Sequence, residues 1–249
     1  MNDASISLLL AAGATFFVAG IVKGVTGMGL PTVAMGVLGG LLSPLAAASL
    51  LIVPSFVTNV WQLVSGPSLV GIVRRLWTMM AGVLVGTLGS TSMLAGGNTS
   101  LTTALLGLAL AVYAVYTLLA KPYHVSQAHE AWLSPVIGLA TGLIAGATGV
   151  FVIPAVPYVQ ALGFEKDDLV QALGLSFTVS TVALAAGLSL QGAFQLDGAA
   201  LSSLAVVPAL IGMWAGQHVR KAVSPAMFKR CFLIALALLG AEMMLRAVW

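Results

Sequence analysis

The sequence GVTGMGLP at residues 24–31 breaks a long apolar run with closely spaced glycines and a proline, and the related GATGVF follows at residues 146–151. Four positions at the first break recur at an offset of 122: Gly20, Gly24, Thr26 and Gly27 correspond to Gly142, Gly146, Thr148 and Gly149. Ser55-Phe56 recurs as Ser176-Phe177 at an offset of 121, and the same offset aligns Asn59 with Ser180. These coincidences favour an internal duplication over chance agreement among the many Gly, Ser and Thr residues.

The composition is typical of a membrane protein. Of 249 residues, 59% are hydrophobic and only 17 are charged (10 Lys and Arg, 7 Asp and Glu), and the mean hydropathy is +1.07. A soluble domain of this length would carry about 60 charged residues. A water-soluble globule is therefore excluded, and the repeated apolar runs predict an all-α, polytopic membrane protein whose helices need about 20 residues to cross a bilayer.

The apolar segments fall into two sets of five. The first set covers residues 6–22, 29–42, 44–65, 70–95 and 100–120, and the second covers 131–147, 150–163, 168–190, 197–217 and 226–248. In each set the first two segments are short and are divided by the glycine-rich joint, whereas the next three are long enough to span. We therefore predict two repeats, each with a broken or re-entrant helical hairpin and three transmembrane helices: residues 1–120, a cytoplasmic linker at 121–130, and residues 131–249.

The charged residues predict the orientation of these repeats. Whether each short pair makes a re-entrant hairpin or two crossings, the two halves have opposite orientations, so we expect inverted repeats. An N-terminus outside the cell leaves Asp3 and Asp197 outside. It places eight basic residues on the cytoplasmic side, as the positive-inside rule requires: Arg74, Arg75, Lys121, Lys166, Arg220, Lys221, Lys229 and Arg230.

The glycine-rich segment 24–31, its echo from 142 to 154, the duplicated halves and the length resemble the sulfite exporter TauE/SafE family of membrane permeases. The resemblance covers essentially the whole chain. It implies a permease in the bacterial inner membrane for a small sulfur-containing or organic anion, such as sulfite or an organosulfonate. One departure is that Val150-Phe151 stands where the first joint has Met28-Gly29, so we do not expect the two hairpin tips to bind a ligand symmetrically.

The two joints are candidate anion sites. A helix broken inside a membrane leaves backbone N–H groups without partners, and a half-helix N-terminus carries partial positive charge, so such a joint can hold an oxyanion. This interpretation selects Thr26, Gly27 and Gly29 in the first joint and Thr148 and Gly149 in the second. The alternative is that these glycines only allow close helix packing.

Each hairpin is followed by a helix with a polar face. Ser55, Thr58, Asn59 and Gln62 have the spacing of a single helical face, and Ser176 and Ser180 share a face in the second half. Polar side chains within a span usually face the bundle interior, where they bind a substrate or join helices by hydrogen bonds. We select Ser55, Asn59, Ser176 and Ser180 as candidate substrate-binding residues, with both interpretations open.

Lys23 is the only basic residue of the first hairpin, and the corresponding position of the second is Ala145. An ammonium near the bilayer centre is costly, so this lysine is either a counter-charge for the substrate or a residue that extends to the cytoplasmic interface. We include Lys23 among the candidate substrate-binding residues.

Several function classes lack the residues they need. Cys231 is the only cysteine and His124, His129 and His218 have no metal-ligand spacing, so we expect neither metal nor cofactor. The sequence has no nucleotide-binding loop of the type GxxxxGK[ST] and offers no support for nucleic-acid binding or for an intramembrane enzyme. A secondary transporter driven by a gradient is the leading hypothesis. The alternatives are an anion channel and a non-transporting membrane subunit, and a homo-oligomer is compatible with the sequence.

Overall fold

The computed structural model describes residues 3–96, 98–121, 123–194, 202–222 and 224–248, and regular structure in these residues is helical. Ten helices lie wholly within these ranges: α1 (Asp3–Thr26), α2 (Leu30–Leu41), α3 (Pro44–Val64), α4 (Leu69–Gly96), α5 (Thr99–Leu119), α6 (Gln127–Thr148), α7 (Ala155–Ala161), α8 (Lys166–Leu190), α9 (Val206–Ala222) and α10 (Pro225–Val248). The predicted all-helical fold is confirmed. Within the described ranges, six helices are long and apolar enough to cross a membrane: α1, α3, α4, α5, α6 and α8.

The prediction that both members of each hairpin are short is wrong for the first member. α1 has 24 residues and α6 has 22, whereas α2 has 12 and α7 has 7. α1 continues through Lys23 because that side chain is buried against polar groups of a later helix, as described below. α6 begins inside the predicted linker 121–130, and the predicted segment 197–217 begins outside the described residues.

The second member of the second hairpin is shorter than the predicted segment 150–163. Residues 150–154 form no regular helix, and α7 begins after Pro154, which cannot donate a backbone hydrogen bond. The first hairpin agrees better, since α2 begins at Leu30 with Pro31 in its first turn.

Small residues allow two pairs of helices to pack with their backbones in contact. α1 packs on α9, where a Cβ built on Gly24 would lie 2.9 Å from the Cα of Gly216. α6 packs on α4, where a Cβ built on Gly142 would lie 2.9 Å from the Cα of Gly86. The first hairpin helix of each half therefore packs on a helix of the other half, through glycines that recur at an offset of 122.

α3 and α8 pack on each other, and α3 contains a proline near its middle. Pro54 has no N–H group, so the carbonyl of Leu50 loses its helical partner. Ser202 supplies the replacement: its hydroxyl donates to the Leu50 carbonyl at 2.7 Å and accepts from the Val53 N–H at 3.1 Å. Pro54 lies one residue before Ser55, so the missing backbone hydrogen bond marks the start of the polar face of α3.

Candidate functional site

Lys23 is the centre of a buried polar cluster. Its side chain is 3% exposed, and its Nζ donates to Asn59 Oδ1 and, at 3.2 Å, to Thr58 Oγ1. The salt bridges in the described residues are Arg75 with Glu130 and Arg246 with Glu242, so no carboxylate neutralises this ammonium. An ammonium has three N–H donors, and two are used within the protein. One N–H of Lys23 therefore has no partner among the described residues.

The polar faces of α3 and α8 meet beside Lys23. Asn59 Nδ2 donates to Thr181 Oγ1 at 3.4 Å, which links the two helices directly. Ser55 lies one turn before Asn59 on α3, and Ser180 precedes Thr181 on α8. The predicted residues Asn59 and Ser180 thus lie on neighbouring surfaces. One of the two amide N–H groups of Asn59 is already engaged.

Three of the six buried hydroxyls without a partner in the described residues lie on these two helices. Ser55, Ser176 and Ser180 are fully buried, and their hydroxyls make no hydrogen bond. Thr32, in the first turn of α2, has the same property. A buried polar group without a partner costs roughly 1 to 3 kcal/mol, so a set of them requires an explanation. Hydrogen bonds from these hydroxyls to a polar ligand would supply one.

The two hairpin tips have the same local geometry. Gly27 has φ +79° and Gly149 has φ +74°, a left-handed conformation that glycine adopts without strain. The Met28 N–H donates to Thr26 Oγ1 at 3.3 Å, and the Val150 N–H donates to Thr148 Oγ1 at 3.2 Å. The two joints therefore fold alike at positions separated by 122 residues.

This geometry uses some of the backbone groups that the sequence offered to an anion. The Gly27 N–H donates to the Lys23 carbonyl and the Gly149 N–H donates to the Ala145 carbonyl, both at 2.7 Å. The threonines hold the next amides, so Thr26 and Thr148 shape the tips rather than present free donors. Gly29 has φ +100° and allows the chain to turn into α2.

The two tips have different neighbours. The Gly27 carbonyl accepts from Gln62 Nε2 at 3.1 Å, which joins the first tip to the polar face of α3. A Cβ on Gly149 would instead lie 2.7 Å from Met35 Cε of α2. Phe151, beyond the second tip, packs on Phe177 of α8 with ring centroids 5.7 Å apart. The second tip therefore packs against α2 through Gly149 and against α8 through Phe151.

Two glutamines connect the ends of α3 and α8. Gln62 Nε2 donates to the Val170 carbonyl at 2.8 Å, and Gln171 Nε2 donates to the Leu63 carbonyl at 2.7 Å. Gln171 also accepts from the Ser68 N–H and donates to the Gly66 carbonyl. These side chains are occupied by backbone groups, which indicates that they position the helices.

A cavity of about 580 Å³ connects Lys23 with the end of the bundle that carries the starts of α4 and α8. Its wall includes Lys23 and Gly27 at one side and the charged residues Lys166, Asp167 and Arg220 at the other. Three cations against one carboxylate make it attractive to anions. Lys23 is thus buried, but it also lies in the wall of a cavity. The two interpretations from the sequence, a counter-charge for the substrate and a lysine that extends to the interface, each describe only part of this position.

In the described ranges, no three His, Cys, Asp or Glu residues are grouped so that they could hold a metal ion. A sequence model of the sulfite exporter TauE/SafE family matches residues 12–243. The chain belongs to this family. TauE/SafE proteins are membrane transporters of small anions. The six apolar helices of the described residues are those of a multi-pass membrane protein. Comparisons with curated proteins and with solved structures found no match.

Three polar residues of this TauE/SafE protein were not selected as site residues from the sequence: Thr58, Thr181 and Thr32. Thr58 accepts from Lys23, and its place on the same helical face as Asn59 was the available signal. Thr181 accepts from Asn59, and its proximity to Ser180 was the available signal. Thr32 lies next to Pro31 in the glycine-rich joint, but it has no polar counterpart in the second half. Its burial without a partner is visible only in the folded chain.

Proposed function

We propose that this TauE/SafE protein is a secondary transporter that moves sulfite or a similarly small anion across the bacterial inner membrane, with Lys23 as the positive charge of its substrate site. The observation that carries the proposal is a buried ammonium whose partners, Thr58 and Asn59, are both neutral. A buried charge without a counter-ion is strongly unfavourable. A small oxyanion bound beside Lys23 removes this cost.

The hydroxyl groups fit the same substrate class. Sulfite and sulfonates present three oxygens on one small centre, and each oxygen accepts hydrogen bonds. Ser55, Ser176 and Ser180 offer buried hydroxyls without partners on the helices that meet at Asn59. We include Thr26, Gly27 and Gly29 as the residues that hold the first tip at Lys23, and Thr148 and Gly149 as those that hold the second tip against α2 and α8.

We further propose that residues 1–120 and 131–249 are inverted repeats. Three features support this: the tips fold alike, the first hairpin helix of each half packs on a helix of the other half, and α3 packs on its counterpart α8. In this arrangement the cavity at Lys166 and Arg220 opens to the cytoplasm, and the N-terminus lies outside.

Labelling of single cysteines tests the inversion. In a chain with Cys231 replaced by serine, Ser7→Cys and His129→Cys occupy exposed positions separated by 122 residues. We expect an impermeant maleimide to label position 7 from outside intact cells and position 129 only after permeabilisation. Asn98→Cys and Lys121→Cys are matched controls that should label from the outside and the inside. Labelling of positions 7 and 129 from the same face would rule out inverted repeats.

Flux into proteoliposomes tests the function itself. We expect saturable sulfite uptake, faster efflux of labelled sulfite when unlabelled sulfite is present on the other side, and competition by methanesulfonate weaker than by sulfite. Exchange of this kind is a property of carriers, so its absence together with linear, unsaturable flux would indicate the anion-channel alternative. Absence of all anion flux by folded protein would contradict the proposal.

Replacement of two serines of α3 tests whether Ser55 contacts the substrate, with Ser49 as the control. Ser55 has no partner, whereas Ser49 Oγ donates to the Leu45 carbonyl at 3.0 Å. Because a hydrogen bond to a charged ligand contributes about 1.5 kcal/mol or more, Ser55→Ala should raise the KM for sulfite about tenfold without lowering the thermal stability of the anion-free protein. Ser49→Ala should leave KM unchanged. Equal KM values for both variants in flux assays would remove Ser55 from the site.

A further inference from the structure

A second basic region lies away from Lys23, where the end of α5 meets the start of α10. Two cavities adjoin there, one of about 550 Å³ and one of about 220 Å³, and Lys229 lines both. Arg230 lines the larger cavity and Lys121 lines the smaller. The two cavities therefore form one groove with three cations, which we call the α5–α10 groove.

The charge of this groove is not compensated by the protein. None of the residues that line the two cavities is acidic. The salt bridges in the described part of the chain involve Arg75 and Arg246, so Lys121, Lys229 and Arg230 have no carboxylate partner there. Lys121 and Arg230 are exposed and Lys229 is half-buried, so all three are accessible to a ligand that enters from the surface. The ligand that such a groove attracts is anionic.

Apolar side chains lie beside these cations. Leu118, Met227 and Leu233 line the larger cavity, and Met227 is 63% exposed. A free inorganic anion has no apolar surface that could pack on an apolar wall. A phospholipid has acyl chains joined to its charged phosphate, and these chains can pack there. In a membrane protein, a basic groove at a helix end with an apolar wall therefore matches a lipid.

We propose that the α5–α10 groove binds an anionic phospholipid, with its phosphate against Lys121, Lys229 and Arg230 and its acyl chains along Leu118 and Leu233. This site shares no residue with the substrate site at Lys23 and does not depend on which anion is transported. The bound lipid contacts both the end of α5 and the start of α10, so it links these two helix ends.

Lipid titration of the purified full-length protein by native mass spectrometry tests this site. We expect phosphatidylglycerol to bind at least about fivefold more tightly than phosphatidylcholine, because each cation near a lipid phosphate contributes a factor of about five. Lys229→Gln should weaken phosphatidylglycerol binding about fivefold. Arg74→Gln is the matched control: Arg74 is exposed but lines neither cavity, so its replacement should leave lipid binding unchanged.

A second variant and a soluble competitor complete the test. The double variant Lys121→Gln/Arg230→Gln leaves Lys229 in place and should weaken binding at least as much, so it decides the question if Lys229→Gln does not fold. Glycerol phosphate should compete poorly because it lacks acyl chains, and competition at the affinity of phosphatidylglycerol would overturn the lipid assignment in favour of a free phosphate ester. Binding of phosphatidylglycerol unchanged in both basic variants would overturn the site itself.

Discussion

Replacing Lys23 with glutamine is expected to reduce kcat/KM for sulfite by about tenfold to a hundredfold, since a hydrogen bond to a charged group contributes about 1.5 to 3 kcal/mol. Glutamine retains a donor for Thr58 and Asn59, so the neutral contacts of the cluster survive and the positive charge is lost. The loss should be larger for divalent sulfite than for a monovalent sulfonate of similar size, because the energy between two charges scales with the charge of the ligand.

Flux assays at two pH values, at which sulfite is mainly monovalent or mainly divalent, measure this charge dependence. Arg74→Gln removes an exposed cation and serves as the control for net charge. Methanesulfonate stays monovalent at both pH values and controls for effects of pH on the protein. If Lys23→Gln lowers transport of monovalent and divalent ligands by the same factor, Lys23 supports the fold of the cluster rather than the charge of the site.

Valine at either hairpin tip is expected to abolish transport. Gly27 and Gly149 both have positive φ, which a β-branched residue adopts only with strain, and a side chain at Gly149 also meets Met35. We expect a loss of about 2 to 4 kcal/mol of stability at Gly149, where strain and overpacking add. At Gly27 the neighbouring space is open, so stability should fall less while transport is still lost.

Thermal unfolding together with flux separates these two effects. Gly89→Val is the matched control, because a Cβ on Gly89 meets no atom within 4 Å and its φ is not positive. We expect Gly89→Val to keep both activity and stability. Normal flux by folded Gly27→Val protein would show that the first tip need not approach the substrate.

The positions of the long helices could be predicted because the bilayer imposes them on local composition. The predicted segments 44–65 and 70–95 agree with α3 (Pro44–Val64) and α4 (Leu69–Gly96) to within one residue at each end. Apolar runs of this length have one stable conformation in lipid, in which each backbone group bonds within its own helix. Hydropathy along the chain was therefore sufficient to predict where these long helices lie.

The ends of the hairpin helices could not be predicted by the same argument. Lys23 reads locally as the end of a span, yet α1 continues to Thr26 because Thr58 and Asn59, 35 and 36 residues later, accept hydrogen bonds from its ammonium. Partners at such distances leave no mark on the local pattern. The polar faces of α3 and α8 were predictable from their spacing, whereas the contact that joins Asn59 to Thr181 was not.

The amides of the joints show a second limit of the sequence. Glycine and proline predicted a broken helix, but the threonine hydroxyls at the tips bond to the amides that the break releases. Whether a backbone donor is free depends on a side-chain rotamer, which composition does not determine. The unpaired serines became visible for the opposite reason, since their lack of a partner is a property of the packed bundle.

The Ser202 hydroxyl makes the two hydrogen bonds beside Pro54 that a water molecule could make: it donates to the Leu50 carbonyl and accepts from the Val53 N–H. A single water molecule can make the same two hydrogen bonds, so separation of Ser202 from α3 leaves the Leu50 carbonyl without a partner only while the gap stays dry. In hydrocarbon each unpaired group costs several kcal/mol, and in a hydrated gap that cost largely disappears. Movement of Ser202 away from α3 at Pro54 is therefore coupled to the entry of water beside this part of the helix.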